Sequence, residues 1–288
     1  MKKIIKENKY GYFHYEELPS KEFLNNYYSK KYFDENSSYS ALLDPFEIKF
    51  FKNEANFLLD YICEYNSENI NKIIEVGFGQ GFLVGCGIER NIDIIGYDYS
   101  KNQIHESIKI DENKFIKSNE PINEIKKDDY DCVILKHVIE HVLDPVNTIE
   151  KISASMNSNA ILIIECPLDF SGIQDYLIKN NKVDEEYWRC YPDHLSFFKP
   201  DSISNILLEN SFEIEDKFGD FPIETLLFED NFNYVLSKNT NGKPAHHLRC
   251  KVMNYLYETV EYKRLINLFR SWLDCLLSRS FTIVARKI

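Results

Sequence analysis

The segment Glu75-Val-Gly-Phe-Gly-Gln-Gly81 places three glycines at alternate positions. Glycine lets a backbone turn tightly and come close to a bound group, and a loop of this kind opening a helix aims N–H groups at a ligand. The spacing is GxGxG, unlike the GxGxxG of dinucleotide sites. Asp98 stands 17 positions beyond Gly81, where a carboxylate can accept hydrogen bonds from both hydroxyls of a ribose. A lone glycine turn is often purely structural, and an aspartate before Tyr99-Ser100 can simply cap a helix. Together, in this order, they point to a ribose-bearing ligand.

Both features need strands to carry them. KIIEVGFGQG (72–81), DIIGYD (93–98), DCVIL (131–135) and AILIIECP (160–167) are short aliphatic runs bounded by charged or turn residues, as expected of parallel strands buried on both faces. Helical spacing separates them, as in Val138, Val142, Ile149 and Ile152, and Phe57, Leu58, Tyr61 and Ile62 predict a helix over 54–65 that ends near Asn66–Ser67. Strand and helix in alternation predict an α/β fold with a doubly wound sheet. After Pro167 the regular pattern lapses through 168–195, then a helix is expected over 201–210 and a strand over 211–218. Residues 221–276 read as a helical insertion, a possible acceptor or oligomer contact, and FTIVARK (281–287) as a last strand returning to the sheet. Residues 1–52 hold Tyr10, Tyr12, Phe13, Tyr15, Phe23, Tyr27, Tyr28, Tyr32, Phe33, Tyr39 and Phe46. They show little strand alternation, and short helices and loops forming a cap are expected. The division is therefore a cap (1–52), a ligand-binding domain (53–220 with 277–288) and the insertion (221–276).

Composition narrows the partners. A net charge of −12 over 288 residues, with no basic stripe, argues against nucleic acid, whose affinity comes largely from lysine and arginine on phosphates. Lys6, Glu7 and Lys9 interrupt the start, so no signal-peptide core forms. No apolar run approaches the roughly 20 residues of a membrane span. A cytoplasmic protein is expected, and its seven scattered cysteines, without a CxxC pair, read as reduced and mostly buried thiols.

EVGFGQG, GYD, DCVILKHVIEHVLDP, the strand ending in Pro167, PDHLSFF (192–198) and SFEIE resemble the class I S-adenosylmethionine-dependent methyltransferases. The match is nearest to the branch with ubiquinone-type O-methyltransferases and sugar methyltransferases of bacterial surface-polysaccharide clusters. It covers roughly residues 54–220 and the final strand, which resembles the antiparallel seventh strand of that class. The resemblance implies a Rossmann-like methyltransferase sheet with S-adenosyl-L-methionine as cofactor. It implies that Gly77, Phe78, Gly79 and Gln80 line the methionine and ribose parts, that Glu75 orients the loop or the amino group, and that Asp98 followed by Tyr99 holds the ribose. Lys136 and His137 would sit near the transferring methyl. Where many relatives carry an acidic residue near the adenine, this chain has KSNE (117–120).

Methyl transfer from a sulfonium is an in-line displacement, so a hydroxyl acceptor needs positioning and a base. His137, Glu140 and His141 fall at i, i+3 and i+4 of the helix expected after the fourth strand, and His194 follows the fifth strand. Related O-methyltransferases with a Glu-x-x-Glu-His run and a distant histidine bind a divalent metal. Here His137 replaces the first glutamate, leaving His137, Glu140, His141 and His194 as metal donors. Alternatively His141 or His194 is a metal-free general base, or Glu140-His141 is a structural pair. In the insertion, Arg249 or His246 could contact an anionic group.

The leading expectation is O-methylation of a sugar hydroxyl, on a nucleotide-sugar or glycan precursor, in surface-polysaccharide synthesis. The alternatives are methylation of another small molecule (a quinone, a phosphoramidate-type group, a natural product) and a non-catalytic cofactor-binding partner subunit.

Overall fold

The computed structural model describes residues 3–28, 43–65, 70–126, 130–236 and 242–288. Tyr32, Phe33, Tyr39 and the expected helix end at Asn66–Ser67 lie outside them. The expected strands form: β3 (Lys72–Val76), β4 (Asp93–Asp98), β6 (Cys132–Lys136), β7 (Ile161–Pro167), β9 (Phe212–Gly219) and β10 (Ser280–Lys287), joined by a short β5 (Phe115–Lys117). They make one seven-stranded sheet in the order β5-β4-β3-β6-β7-β10-β9. All neighbours are parallel except β10, which runs antiparallel to both β7 and β9. The strand order reverses between β3 and β6, and doubly wound sheets bind ligands at the carboxyl ends of strands flanking such a reversal.

Alternation along each strand divides the core into two layers. Ile73, Cys132, Ile134, Ile161 and Ile163 pack toward α2 (Pro45–Tyr65), α3 (Phe82–Glu89), α7 (Lys243–Thr259) and α8 (Tyr262–Asp274). Ile74, Val76, Val133, Leu135, Leu162 and Ile164 pack toward α4 (Pro145–Ser155) and α6 (Pro200–Glu209). Among the described residues no helix is long and apolar enough to cross a membrane. All seven cysteines are free, with Cys86, Cys132, Cys166 and Cys250 buried and Cys63, Cys190 and Cys275 exposed.

Several expectations are corrected. The helix over 54–65 begins earlier, at Pro45, with the Glu47 carboxylate accepting from the Asp44 amide at 2.7 Å as a cap. Residues 168–195 contain a helix, α5 (Gly172–Lys179), opened by a capping box of Ser171 and Gln174. The N-terminal segment includes strands as well as the helix α1 (Lys21–Asn26): β1 (Ile5–Glu7) pairs with β2 (Phe13–Tyr15), which pairs with β8 (Ser196–Phe197). Distant pairing wins over local pattern there, because Tyr15, Trp188 and Phe197 bury one another beneath the small sheet.

Ile134 is fully buried between β3 and β7. Ile134→Ala is expected to destabilise the protein by about 2–5 kcal/mol, the usual range for this truncation in a closed core. Urea unfolding measures it, and a loss well under about 1 kcal/mol would show that this layer is loosely packed.

Candidate active site

The glycine loop follows β3 directly. Gly77 has φ +79°, and a Cβ there would stand 2.6 Å from Val138 Cγ2, so both conformation and space require glycine. The Gly79 amide donates to Asp98 Oδ2 at 3.0 Å and the Ser100 amide to Oδ1 at 3.2 Å. The loop and the end of β4 are thus tied through one carboxylate whose oxygens keep further lone pairs. Burial pushes the Asp98 carboxyl up to about 6, against the opposing pull of those amides. Glu75 is also buried, which raises it to about 8 despite the nearby Lys136. Its Oε2 has no hydrogen-bond partner among the described residues.

Alternation puts Lys136 and Glu165 on the same sheet face as Glu75, and the parallel register of β6 and β7 sets them directly opposite each other. Lys136 Nζ lies 2.8 and 2.9 Å from the two Glu165 oxygens, and α2 supplies Glu54 at 3.0 Å. Burial would depress the ammonium, but the two carboxylates outweigh it and hold Lys136 above its ordinary range. At the next residue the chain turns with φ +52°. The turn swings His137 between Glu165 (Nε2, 3.1 Å) and Glu140 (Nδ1, 3.2 Å). Burial opposes protonation of His137 and both carboxylates favour it more strongly, raising its pKa. Its side chain is 43% exposed to the cleft, and solvent there screens part of this. Glu140 is fully buried, yet His137, His141 and His194 hold it down to about 2.

The second wall comes from the segment before β8. Leu195 and Ser196 donate their amides to the Glu140 carbonyl at 2.8 and 3.1 Å, which brings His194 beside His141 with ring centroids 5.1 Å apart. His141 Nδ1 lies 2.8 Å from the Asp193 carbonyl, 3.3 Å from its carboxylate and 3.2 Å from the Tyr28 hydroxyl. Burial disfavours a charge on His141, but Asp193 and Glu140 overcome this and raise it. His194 goes the other way: burial, reinforced by His141, lowers it to about 4. Its Nδ1 has no hydrogen-bond partner among the described residues.

The glycine loop, the charged cluster and both histidines line one cleft of about 1510 Å³. Gly77, Phe78, Gly79, Gln80, Asp98 and Tyr99 lie at one end. Asp220, Tyr234, His246, Arg249 and Arg279 line another part. Arg279 is engaged by Asp169 at 3.2 Å and Glu224 at 3.8 Å. Arg249 sits over the Phe50 ring at 5.1 Å, and its Nε has no hydrogen-bond partner among the described residues.

Two features of the sequence reading change. His137, Glu140 and His141 do not share a helix face, because the chain forms turns here and α4 starts only at Pro145, capped by Asp144. His137, both of whose nitrogens face carboxylates, leaves the metal-donor set; the donor atoms of Glu140, His141 and His194 remain within 4.8 Å of one another. Lys136 lines the cleft as the centre of an ion-paired cluster. The residues missed are Tyr28, Glu54, Glu165 and Asp193. Glu165 left a signal, as the charged position inside the apolar run ILIIECP, whereas Tyr28 is marked only by its place in an aromatic-rich segment.

A glycine loop after β3, a carboxylate ending β4 and an antiparallel strand inserted near the far edge define a Rossmann-like methyltransferase fold. The chain belongs to the methyltransferase domain family, whose pattern it matches over residues 47–217. No curated protein matches significantly. Among solved structures it is similar to magnesium protoporphyrin IX methyltransferase from Synechocystis PCC 6803 with bound SAH, at 13% identity over 93% of this chain and 100% of that one, TM-score 0.54. It is also similar to the plantazolicin methyltransferase BpumL in complex with a monoazolic desmethylPZN analog and SAH, at 12% identity over 93% and 96%, TM-score 0.52.

Removing one partner from a buried ion pair strands the other, at a cost of about 3–5 kcal/mol. Lys136→Met is expected to destabilise the chain by that amount and Lys136→Met/Glu165→Met by less. Equal losses in chemical denaturation of the two variants would show that Glu165 does not depend on Lys136.

Proposed function

We propose that this chain transfers a methyl group from S-adenosylmethionine to a hydroxyl of a sugar, carried on a nucleotide-sugar or glycan precursor of a surface polysaccharide. One observation carries the chemistry: His194 is a partly buried imidazole whose Nδ1 has no hydrogen-bond partner among the described residues, on the cleft that also holds the glycine loop and Asp98. The cofactor assignment is supported by fit. Asp98 keeps acceptor capacity for ribose hydroxyls, Gly79, where a Cβ would meet nothing within 4 Å, leaves backbone open to the ligand, and the unpartnered Glu75 Oε2 is a buried hydrogen-bonding group beside the loop.

The bound cofactor supplies a sulfonium methyl as the electrophile. The side chains do the rest. Asp98 fixes the ribose, and Lys136 with Glu54 and Glu165 holds the cleft floor rigid. As the acceptor oxygen takes up the methyl its proton becomes strongly acidic, so even a weakly basic His194 can accept it. Glu140 then favours the imidazolium that forms. Polar groups fit a sugar better than the apolar wall a quinone would require: Asp220, Tyr234 and Arg249 line the cleft, and Arg249 offers an unused N–H to an anionic group. The polysaccharide setting rests on the sequence resemblance.

A metal-assisted reading is favoured by the convergence of Glu140, His141 and His194 donors within 4.8 Å. It differs in outcome: a chelator would abolish activity, and added Mn²⁺ or Mg²⁺ would restore it.

His194→Ala is expected to lower turnover about a hundredfold to ten-thousandfold, the range for a general base, while leaving SAH affinity intact. Because the neutral imidazole is the active form and its pKa is lowered to about 4, turnover at saturating cofactor should persist below pH 6 and fall only as pH approaches 4, while SAH affinity weakens below about 6 as Asp98 is protonated. Full turnover by the variant, assayed as labelled methyl uptake by candidate nucleotide-sugars, would remove His194 from the chemistry. Asp98→Ala is expected to weaken SAH binding roughly tenfold to a hundredfold, since hydrogen bonds to a charged acceptor contribute about 1.5–3 kcal/mol. Unchanged affinity by titration calorimetry would place the ribose elsewhere.

A further inference from the structure

Asp44, Glu47 and His247 bring their donor atoms within 4.8 Å of one another, in a group separate from Glu140, His141 and His194. We propose that Asp44, Glu47 and His247 form a site for one divalent transition-metal ion of the zinc class, which fastens the start of α2 to the start of α7. His247 Nε2 lies 3.7 Å from Asp44 Oδ2 and 3.8 Å from Glu47 Oε1. These separations are too long for hydrogen bonds. They match ligands sharing one ion, which at about 2.0–2.1 Å each from the metal stand roughly 3.3–4.2 Å apart.

Helix capping explains part of this arrangement and leaves the rest. It accounts for Glu47 Oε2, which accepts from the Asp44 amide. It does not account for His247 Nε2, which is buried, faces two carboxylates and has no hydrogen-bond partner among the described residues. Nor does it account for His246, whose Nε2 lies 3.0 Å from Glu47 Oε1. The His246 Nδ1 atom faces Arg249 Nη2 at 2.9 Å, so Nδ1 accepts and Nε2 donates to the carboxylate. A carboxylate ligand oriented by such an outer partner is the usual support of a protein metal site. Two carboxylate side chains and one imidazole also suit a borderline metal. Glu47 and His246 line the cleft, so the ion would stiffen the wall that carries Arg249.

The full chain is stripped with EDTA, dialysed against Zn²⁺ alone and assayed for bound zinc by mass spectrometry and by competition with a chromogenic chelator. Wild type and the His141→Ala/His194→Ala double variant should both hold zinc at this site. His247→Ala and the exposed-position variant Asp44→Asn should weaken it by more than about tenfold, since even outer-shell changes cost that much. Circular dichroism and SAH binding verify folding. The proposal is overturned if wild type holds no zinc at micromolar concentration, if His247→Ala and Asp44→Asn bind as wild type does, or if the His141/His194 variant loses all zinc.

Discussion

The site depends on one consequence of sheet geometry. β6 and β7 are parallel and in a register that places Lys136 opposite Glu165, while alternation turns both toward α2 and the cleft. A lysine there cannot go unpaired, and Glu54 and Glu165 both reach it. The same glutamate orients His137, which in turn meets Glu140, and the Glu140 carbonyl holds the segment bearing His194. A shift of one residue in the pairing of β6 and β7 would send these side chains into the layer formed by α4 and α6.

Where chemistry and local pattern coincide, the sequence was legible. The strands β3, β4, β6, β7 and β10 are continuous apolar runs, and the glycine loop and Asp98 are fixed by offsets from strand ends. The turn at 137–141 was obscured because Val138 and Val142 continue the helical spacing of Ile149 and Ile152. Asp144-Pro145 marks the true helix start, an N-cap followed by proline. Other features depend on distant partners. β5 is only three residues long, and β1 and β2 become strands through pairing that ends on Phe197. Glu54 reads as one more polar residue of an amphipathic helix until β6 is placed beneath it.

Tyr28 connects the two ends of the cleft. Its ring stacks on Tyr99, next to Asp98, at 5.9 Å, and its hydroxyl lies 3.2 Å from His141 Nδ1. Lys21 reaches Glu120 from the same helical segment. The aromatic N-terminal segment therefore belongs to the site wall. It links Tyr99, just after β4, to the His141 imidazole, and none of its described residues joins the main sheet.

The placement of β10 also governs assembly. β9 pairs with the main sheet only through β10, although about sixty residues of chain separate the two strands. During synthesis the parallel unit of β3, β4, β6 and β7, with its glycine loop, can form on the ribosome. Asp220, which follows β9, gains its hydrogen bond from the Ser280 amide only after residues 280–287 emerge. The final, high-contact-order step is thus the threading of one strand between two others. A nascent chain halted before that step would expose the edge of β7, an aliphatic strand with unpaired amides and carbonyls, to aggregation.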